Sequence, residues 1–403
     1  MARLLIYLFP LLIDMALGCA WYVCTARRAQ QPGATASGPA VLLTLWAVTY
    51  MVVCRLIGYI VTPRNAATLL IAGGLSVSAV AAGFILIPGV GQMWWLLMAQ
   101  AVAVALFFVP FQVFMKQVGS DGASGIIRPA ALYTAAWSLG LASGPFVGAL
   151  LWKYFDWPWA YGVNIAVGLL TVAGIALLRR SAERPAPAAV AIGDSPPTPA
   201  DRYRGLPDLA WLAWVGSGAG FVGVALIRAL LPTATETHGI SETHLGMMLA
   251  TLQVTHSIVA VGLLVSRWWM YRPRGVLGFA LFGLAGLALF ATAERAAVFY
   301  LAAVCFGVYS AGFCFYFVFH ALVHPSRSAT YVSVNEAVVG LTSIVGPLAG
   351  GWIADTTTLA VPFWVAAALV AGAVALQVIV HGRHARAPAA PGNPKSEARR
   401  TSA

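Results

Sequence analysis

Gly140-Leu141-Ala142-Ser143-Gly144-Pro145-Phe146-Val147-Gly148 and, much later in the chain, Gly346-Pro347-Leu348-Ala349-Gly350 are the two stretches on which the reading of the fold turns. Each sets a Gly-Pro pair inside a long apolar run, with a further Gly three residues beyond the Pro. Their offset is 202 residues. A second pair, Gly58-Tyr59-Ile60-Val61-Thr62 and Gly262-Leu263-Leu264-Val265-Ser266, has an offset of 204. Two matches with nearly one offset describe a chain built from two related halves, a common construction among membrane transporters. Gly and Pro suit such runs because small residues let helices approach closely in lipid and Pro bends them.

Composition fixes the solvent. The 403 residues are 60% apolar and 9% charged, against roughly 25% charged in soluble domains. So few charges cannot keep two or three soluble domains dissolved, which excludes a soluble enzyme. With about 20 apolar residues needed to cross roughly 30 Å of hydrocarbon, the chain has room for a dozen spans. The net charge of +11 would suggest nucleic acid in a soluble protein, but here the basic residues lie between apolar runs. They report membrane topology, and no nucleic-acid partner is expected. Cys19, Cys24, Cys54, Cys305 and Cys314 fall in or beside apolar runs without Cys-x-x-Cys spacing, and are expected as free thiols packed like small hydrophobes. There is no phosphate-cradling loop and no nucleophile elbow. His320 and His324 are four residues apart but lack a neighbouring carboxylate or thiolate. Neither enzymatic activity, a cofactor nor a metal is therefore expected.

Apolar windows broken at Pro, Gly and charge give spans near residues 3 to 24, 39 to 61, 67 to 87, 93 to 114, 129 to 151 and 159 to 178. A second set falls near 208 to 231, 245 to 265, 275 to 293, 297 to 319, 329 to 351 and 362 to 381. The fold expected is an all-α polytopic membrane protein with twelve transmembrane helices in two pseudo-symmetric six-helix bundles, residues 1 to 178 and 208 to 381. Residues 179 to 207, rich in Arg and Pro, form a linker; residues 382 to 403 form a disordered tail. Asp14 interrupts the first span and no small-x-small cleavage pattern follows, so that span is read as retained rather than as a signal peptide. Of the 24 Lys and Arg, Arg27, Arg28, Lys153 and Arg295 lie on one side, Arg55 and Arg228 within spans, and the rest on the side of the linker and both termini. Basic loops stay in the cytoplasm, so both termini are expected there, in the cell (inner) membrane.

At this point the chain resembles the major facilitator superfamily of secondary transporters, over residues 3 to 381. Gly140, Gly144, Pro145 and Gly148 look like the span 5 motif associated with proton-linked antiporters, although Ala131 and Ala149 replace two of its glycines. The family's charged loop motif would fall on Gly58, Thr62, Pro63, Asn65, Ala66 and Ala67, where its Asp and most of its basic residues are missing. The resemblance implies alternating access around a site between the halves, with spans 2 and 11 facing each other. It also implies that an acidic residue in span 1 serves substrate or proton binding.

Charge inside hydrocarbon costs roughly 2.5 to 3.5 kcal/mol on insertion scales, so each such residue needs a reason. Asp14, read as near mid-depth, shares a seven-residue stripe with Tyr7 and Trp21. It either carries substrate or a proton or makes a structural hydrogen bond. Arg55 and Glu336 have a similar depth of roughly 9 to 10 Å, which suits a cytoplasmic gate joined by Asn335. For Arg55 the alternative is snorkelling, and for Glu336 proton carriage or packing. Arg228 either snorkels outward or attracts an anion. His256, with Gln253 and Ser257 on its face, is a structural or a proton- or substrate-handling group. Gln100 with Phe107, and Tyr309 with Tyr316, have heptad spacing that fits either a cavity wall or packing. Gly346, Pro347 and Gly350 serve packing or flexing, as do Gly140, Gly144, Pro145 and Gly148.

The function expected is secondary active transport of a small organic solute, coupled to protons, with efflux favoured. Uptake of an anionic metabolite is the alternative within transport, and a non-transporting sensor or scaffold outside it. The partners expected are a small-molecule substrate, protons and the lipid bilayer, with the chain a monomer.

Overall fold

A computed structural model of the chain describes residues 5–62, 64–119, 127–182, 208–265, 273–323 and 328–386. The first six helices are α1 (Leu8–Ala29), α2 (Ser37–Ile60), α3 (Ala66–Leu86), α4 (Met93–Gly119), α5 (Ile127–Phe155) and α6 (Pro158–Ala182). The second six are α7 (Ala210–Thr237), α8 (Glu242–Val265), α9 (Pro273–Thr292), α10 (Ala296–Val323), α11 (Ser328–Thr356) and α12 (Val361–Arg386). All 12 are long and apolar enough to cross a membrane. In hydrocarbon each backbone group must be satisfied within its own segment, which leaves the helix as the form these runs adopt. Most of the expected linker and tail falls on residues 183–207 and 387–403, outside the described residues.

Helix pairing repeats under a shift of six. In the first half α1 packs on α5 and α6, α3 on α4 and α6, and α2 on α4. In the second half α7 packs on α11 and α12, α9 on α10 and α12, and α8 on α10. The main contacts between halves, α2 with α11 and α5 with α8, exchange with each other under the same shift. The repeated Gly-Pro stretches sit on the corresponding helices α5 and α11. A Cβ at Gly144 would lie 2.6 Å from the Met15 carbonyl oxygen of α1, and one at Gly346 3.0 Å from that of Val222 in α7. Even the turns correspond: Gly33, between α1 and α2, has φ 71°, and Gly239, between α7 and α8, has φ 64°. Glycine enters that left-handed region without steric cost.

Several helices run four to six residues past the expected bounds, α6 into the expected linker and α12 into the expected tail, and two of the departures bear on the site. α1 starts and stops five residues later, running through Arg27 and Arg28 to Ala29. Arg27 is accommodated there because it donates to the Pro88 carbonyl (2.6 Å) and lies 3.7 Å from the Trp157 ring centroid; cations also suit a helix C-terminus. α7 continues to Thr237 rather than stopping near 231, carrying Pro232 inside it. Apolar windows mark the stretch that lipid requires, whereas helices extend further where other helices hold them.

The halves are clasped at the end where α1 stops and α2 starts. Asp355, at the end of α11, accepts hydrogen bonds from the backbone amides of Ala36 (2.8 Å) and Ser37 (3.2 Å). These are the first amides of α2, whose own N-cap residue, Ala36, provides no side-chain cap. One turn before Asp355, a Cβ at Gly351 would lie 2.8 Å from the Ser37 Cα, so the two backbones meet directly. On the other seam the Gln30 amide donates to the Glu242 carboxylate, and the Tyr22 hydroxyl donates to the Glu242 carbonyl (2.7 Å). Gly246, one turn into α8, would put a Cβ 2.6 Å from the Pro145 carbonyl oxygen of α5.

Candidate functional site

Below this clasp a cavity of about 520 Å³ lies between the halves. Its wall comes from Gly18, Trp21, Tyr22 and Thr25 of α1, Leu43 of α2, Leu141 and Pro145 of α5, Val224 and Arg228 of α7, and Leu249, Leu252 and Gln253 of α8. The α8 residues lie seven to eleven positions into their helix, roughly 10 to 17 Å at 1.5 Å per residue. The cavity is therefore within the depth of the membrane.

Glycine positions the first wall. Gly140, Gly144 and Gly148 of α5 all face α1, opposite Leu11 and Asp14, Met15 and Gly18, and Cys19 and Tyr22 respectively. A side chain at these positions would push α1 away and widen the interface, so the glycine stripe sets how near α1 lies to α5. Asn164 of α6 fixes α1 from behind by donating to the Ala16 carbonyl (2.9 Å).

Arg228 lies nine residues before the end of α7, roughly 13 Å along the helix. Its guanidinium is 5.4 Å from the Trp21 ring centroid, across the interface between halves. Because α7 runs further than expected, this charge lies well inside the helix, on the cavity wall rather than at the helix end. Trp21 in turn meets Trp46 edge to face at 4.7 Å, and Trp46 stacks on Tyr50 at 4.8 Å, forming an aromatic wall on α1 and α2. The indole N–H groups of Trp21 and Trp46 are buried with no acceptor among the described residues.

Asp14 is only 4% exposed and lies six residues into α1, nearer the linker end than the mid-depth expected. It packs against Gly140 and is not among the residues that line the cavity. No hydrogen bond reaches its carboxyl from a described residue, and the charge it senses is that of Arg228. His256 also senses Arg228, while its Nδ1 shares a 2.9 Å hydrogen bond with the Ser310 hydroxyl. Gln253 lines the cavity, and its backbone carbonyl accepts from the Ser257 hydroxyl (2.9 Å).

The fold thus brings Trp21, Arg228 and Gln253 onto one cavity, with Asp14 and His256 within electrostatic reach. It leaves the other candidates elsewhere. Gln100 is buried inside the first half, its Oε1 without a partner among the described residues. Tyr309 and Tyr316 line a separate space of about 430 Å³ inside the second half, with Ser217 and Gln377. Arg55 is exposed near the linker end of α2, its guanidinium 4.8 Å from the Tyr59 ring centroid on the same helix. Asn335 is buried and accepts from the Trp214 indole N–H (2.8 Å), inside the second half. The side chain of Glu336 lies outside the described residues. The sequence reading does not single out Tyr22, Leu43, Trp46, Glu242 or Asp355. For the two carboxylates a signal exists, an acidic residue one turn from a glycine at a helix end.

Two related six-helix halves enclosing a cavity at membrane depth define a polytopic membrane protein with the architecture of a transporter. Residues 4–324 match the family model of the Major Facilitator Superfamily, and the chain belongs to that family. No curated protein matches it by sequence. Among solved structures it is similar to a bacterial homologue of the human lysosomal transporter Spinster, in an inward-facing, unoccupied conformation, at TM-score 0.67 and 14% identity over 97% of this chain and 98% of that one. It is also similar to the nucleoside transporter NupG, at TM-score 0.69 and 10% identity over 94% of this chain and 100% of that one. At such identity the likeness is one of fold.

Proposed function

We propose that this secondary transporter moves a small organic solute by alternating access, that the solute occupies the cavity around Trp21, Arg228 and Gln253, and that Asp14 carries a coupled proton. The observation behind this reading is that Asp14 belongs to one half and Arg228 to the other, Asp14 buried and Arg228 half-buried on the cavity wall, within reach of each other's charge. An ionised Asp14 draws the halves together through Arg228; a protonated one releases that attraction. A proton can therefore bias an equilibrium between two arrangements of the halves. With both termini and the 179–207 linker on the cytoplasmic side of the cell membrane, the clasped end faces outward and this conformation receives solute from within, the entry step of efflux. Import of an anionic metabolite is the second reading, favoured by Arg228 on the cavity wall.

Arg55 and Glu336, with Asn335, are proposed to form the opposite gate, closing when the clasp opens. Cysteines at 55 and 336 should crosslink in that state, and failure to crosslink in any state would sink the gate. The coupling is tested in proteoliposomes loaded with a pH-sensitive dye and exposed to a panel of organic acids and amines. A solute that drives proton flux through the natural protein should not do so through Asp14→Asn, while solute exchange without a gradient persists. Unchanged proton flux in Asp14→Asn would remove the carboxylate from the mechanism.

A further inference from the structure

Asp14 is buried and Arg228 half-buried, and the two are not presented equally to the cavity. Arg228 is part of its wall, together with Gln253 and Trp21; Asp14 is not, lying one turn beyond Gly18 against Gly140. Among the described residues no carboxylate forms an ion pair with Arg228, whose contact is the face of Trp21. The rest of the wall is mainly apolar, with Leu43, Leu141, Val224, Leu249 and Leu252, and its two hydroxyls, on Tyr22 and Thr25, already donate to the Glu242 and Trp21 carbonyls. A guanidinium partly withdrawn from water gains from an acceptor, and its planar fork fits the two oxygens of a carboxylate. Of the polar side chains on this wall, the guanidinium can only donate, and the Gln253 amide nitrogen can add a second donor beside it.

We infer that the transported solute is a monoanionic organic compound, its oxyanion head held by Arg228 and Gln253 and its apolar body lying against the leucine and tryptophan wall. One cation compensates one negative charge; a dianion would bury a second charge without a partner. The inference rests on the assignment of this cavity as the solute site, and adds that Asp14, when ionised, competes with the solute head for Arg228.

Three matched series test it on the purified full chain: phenylalkanoic acids from phenylacetate to 8-phenyloctanoate, their primary amides and the corresponding amines. Binding is read by isothermal titration and thermal shift at fixed pH. The acids should bind at least about tenfold more tightly than the amides, equivalent to roughly 1.4 kcal/mol, and the amines should not bind. Arg228→Gln should abolish the preference for acids, Arg228→Lys should keep part of it, and Asp14→Asn should tighten acid binding. If Arg228→Gln does not fold, the ranking on the natural protein and on Arg228→Lys decides. Preference for amines, an acid preference that survives Arg228→Gln, or binding by none of the series would overturn the inference. Its failure is distinct from that of the transport reading: amines driving proton flux in vesicles would reject the anion alone, whereas acids that bind in the stated order yet drive no flux would reject transport alone.

Discussion

Replacing Asp355 with alanine is expected to weaken the clasp between the halves while leaving each half folded. The carboxylate holds the first two amides of α2, a helix of 24 residues that has no side-chain cap of its own. Losing an N-cap acceptor costs typically about 1 kcal/mol, and losing a negative charge at a helix N-terminus roughly 0.3 to 1 kcal/mol more. Because the acceptor belongs to α11, on the other half, this loss falls on the clasped conformation. A penalty of about 1 to 2 kcal/mol should shift the ratio of clasped to open molecules by roughly 5- to 30-fold. Spin labels at cysteines replacing Pro32 and Thr358 would report the separation across this end by double electron–electron resonance. Asp355→Asn, which keeps an acceptor but not the charge, should fall between the natural protein and Asp355→Ala. Adding Ala36→Ser to Asp355→Ala gives α2 a cap from its own half, which should restore helix stability without restoring closure. Identical distance distributions in all four proteins would refute the idea that a cap supplied by the other half holds this end shut.

Gly246→Leu should open the same end through sterics, since even a Cβ there meets the Pro145 carbonyl and Ala149; an unchanged label distance would show that the α5–α8 seam yields elsewhere. Gly140→Ala should lower thermal stability by about 1 to 3 kcal/mol, the usual cost of overpacking, because its methyl would press on Leu11 and on Asp14 Cβ, 2.8 Å away. A melting curve like that of the natural protein would contradict so close an approach of α1 and α5. Trp214→Phe removes the donor to Asn335 Oδ1 and leaves a buried acceptor unpaired, at about 1 to 3 kcal/mol. The combined change with Asn335→Leu should recover much of that loss in a thermal melt, and no recovery would indicate that the indole acts through packing alone.

Composition and spacing by themselves determined the solvent, the number of spans and the duplication. Apolar runs near 20 residues have one stable form in hydrocarbon, and a repeat of Gly-Pro at nearly constant offset survives as two matching helices, α5 and α11. The reason is local: lipid imposes the helix segment by segment, without reference to what each segment meets. Asp14, Arg228, His256 and Gln253 were legible as candidates on the same ground, since polar groups in such runs are costly. What they face was decided by the tertiary structure. Arg228 reached the cavity because α7 runs to Thr237 and Trp21 crosses from the other half to meet it. Asp14 lies off the cavity wall because Gly140 admits α1 so closely, while Tyr309 and Tyr316, equally polar and equally well spaced, turned to a separate space inside the second half. Asp355 and Glu242 did not stand out in the sequence, because their partners, the bare amides of α2 and the end of α1, lie far away along the chain. Helix periodicity gives the direction of a side chain about its own axis, but the neighbour in that direction is set by how twelve helices pack.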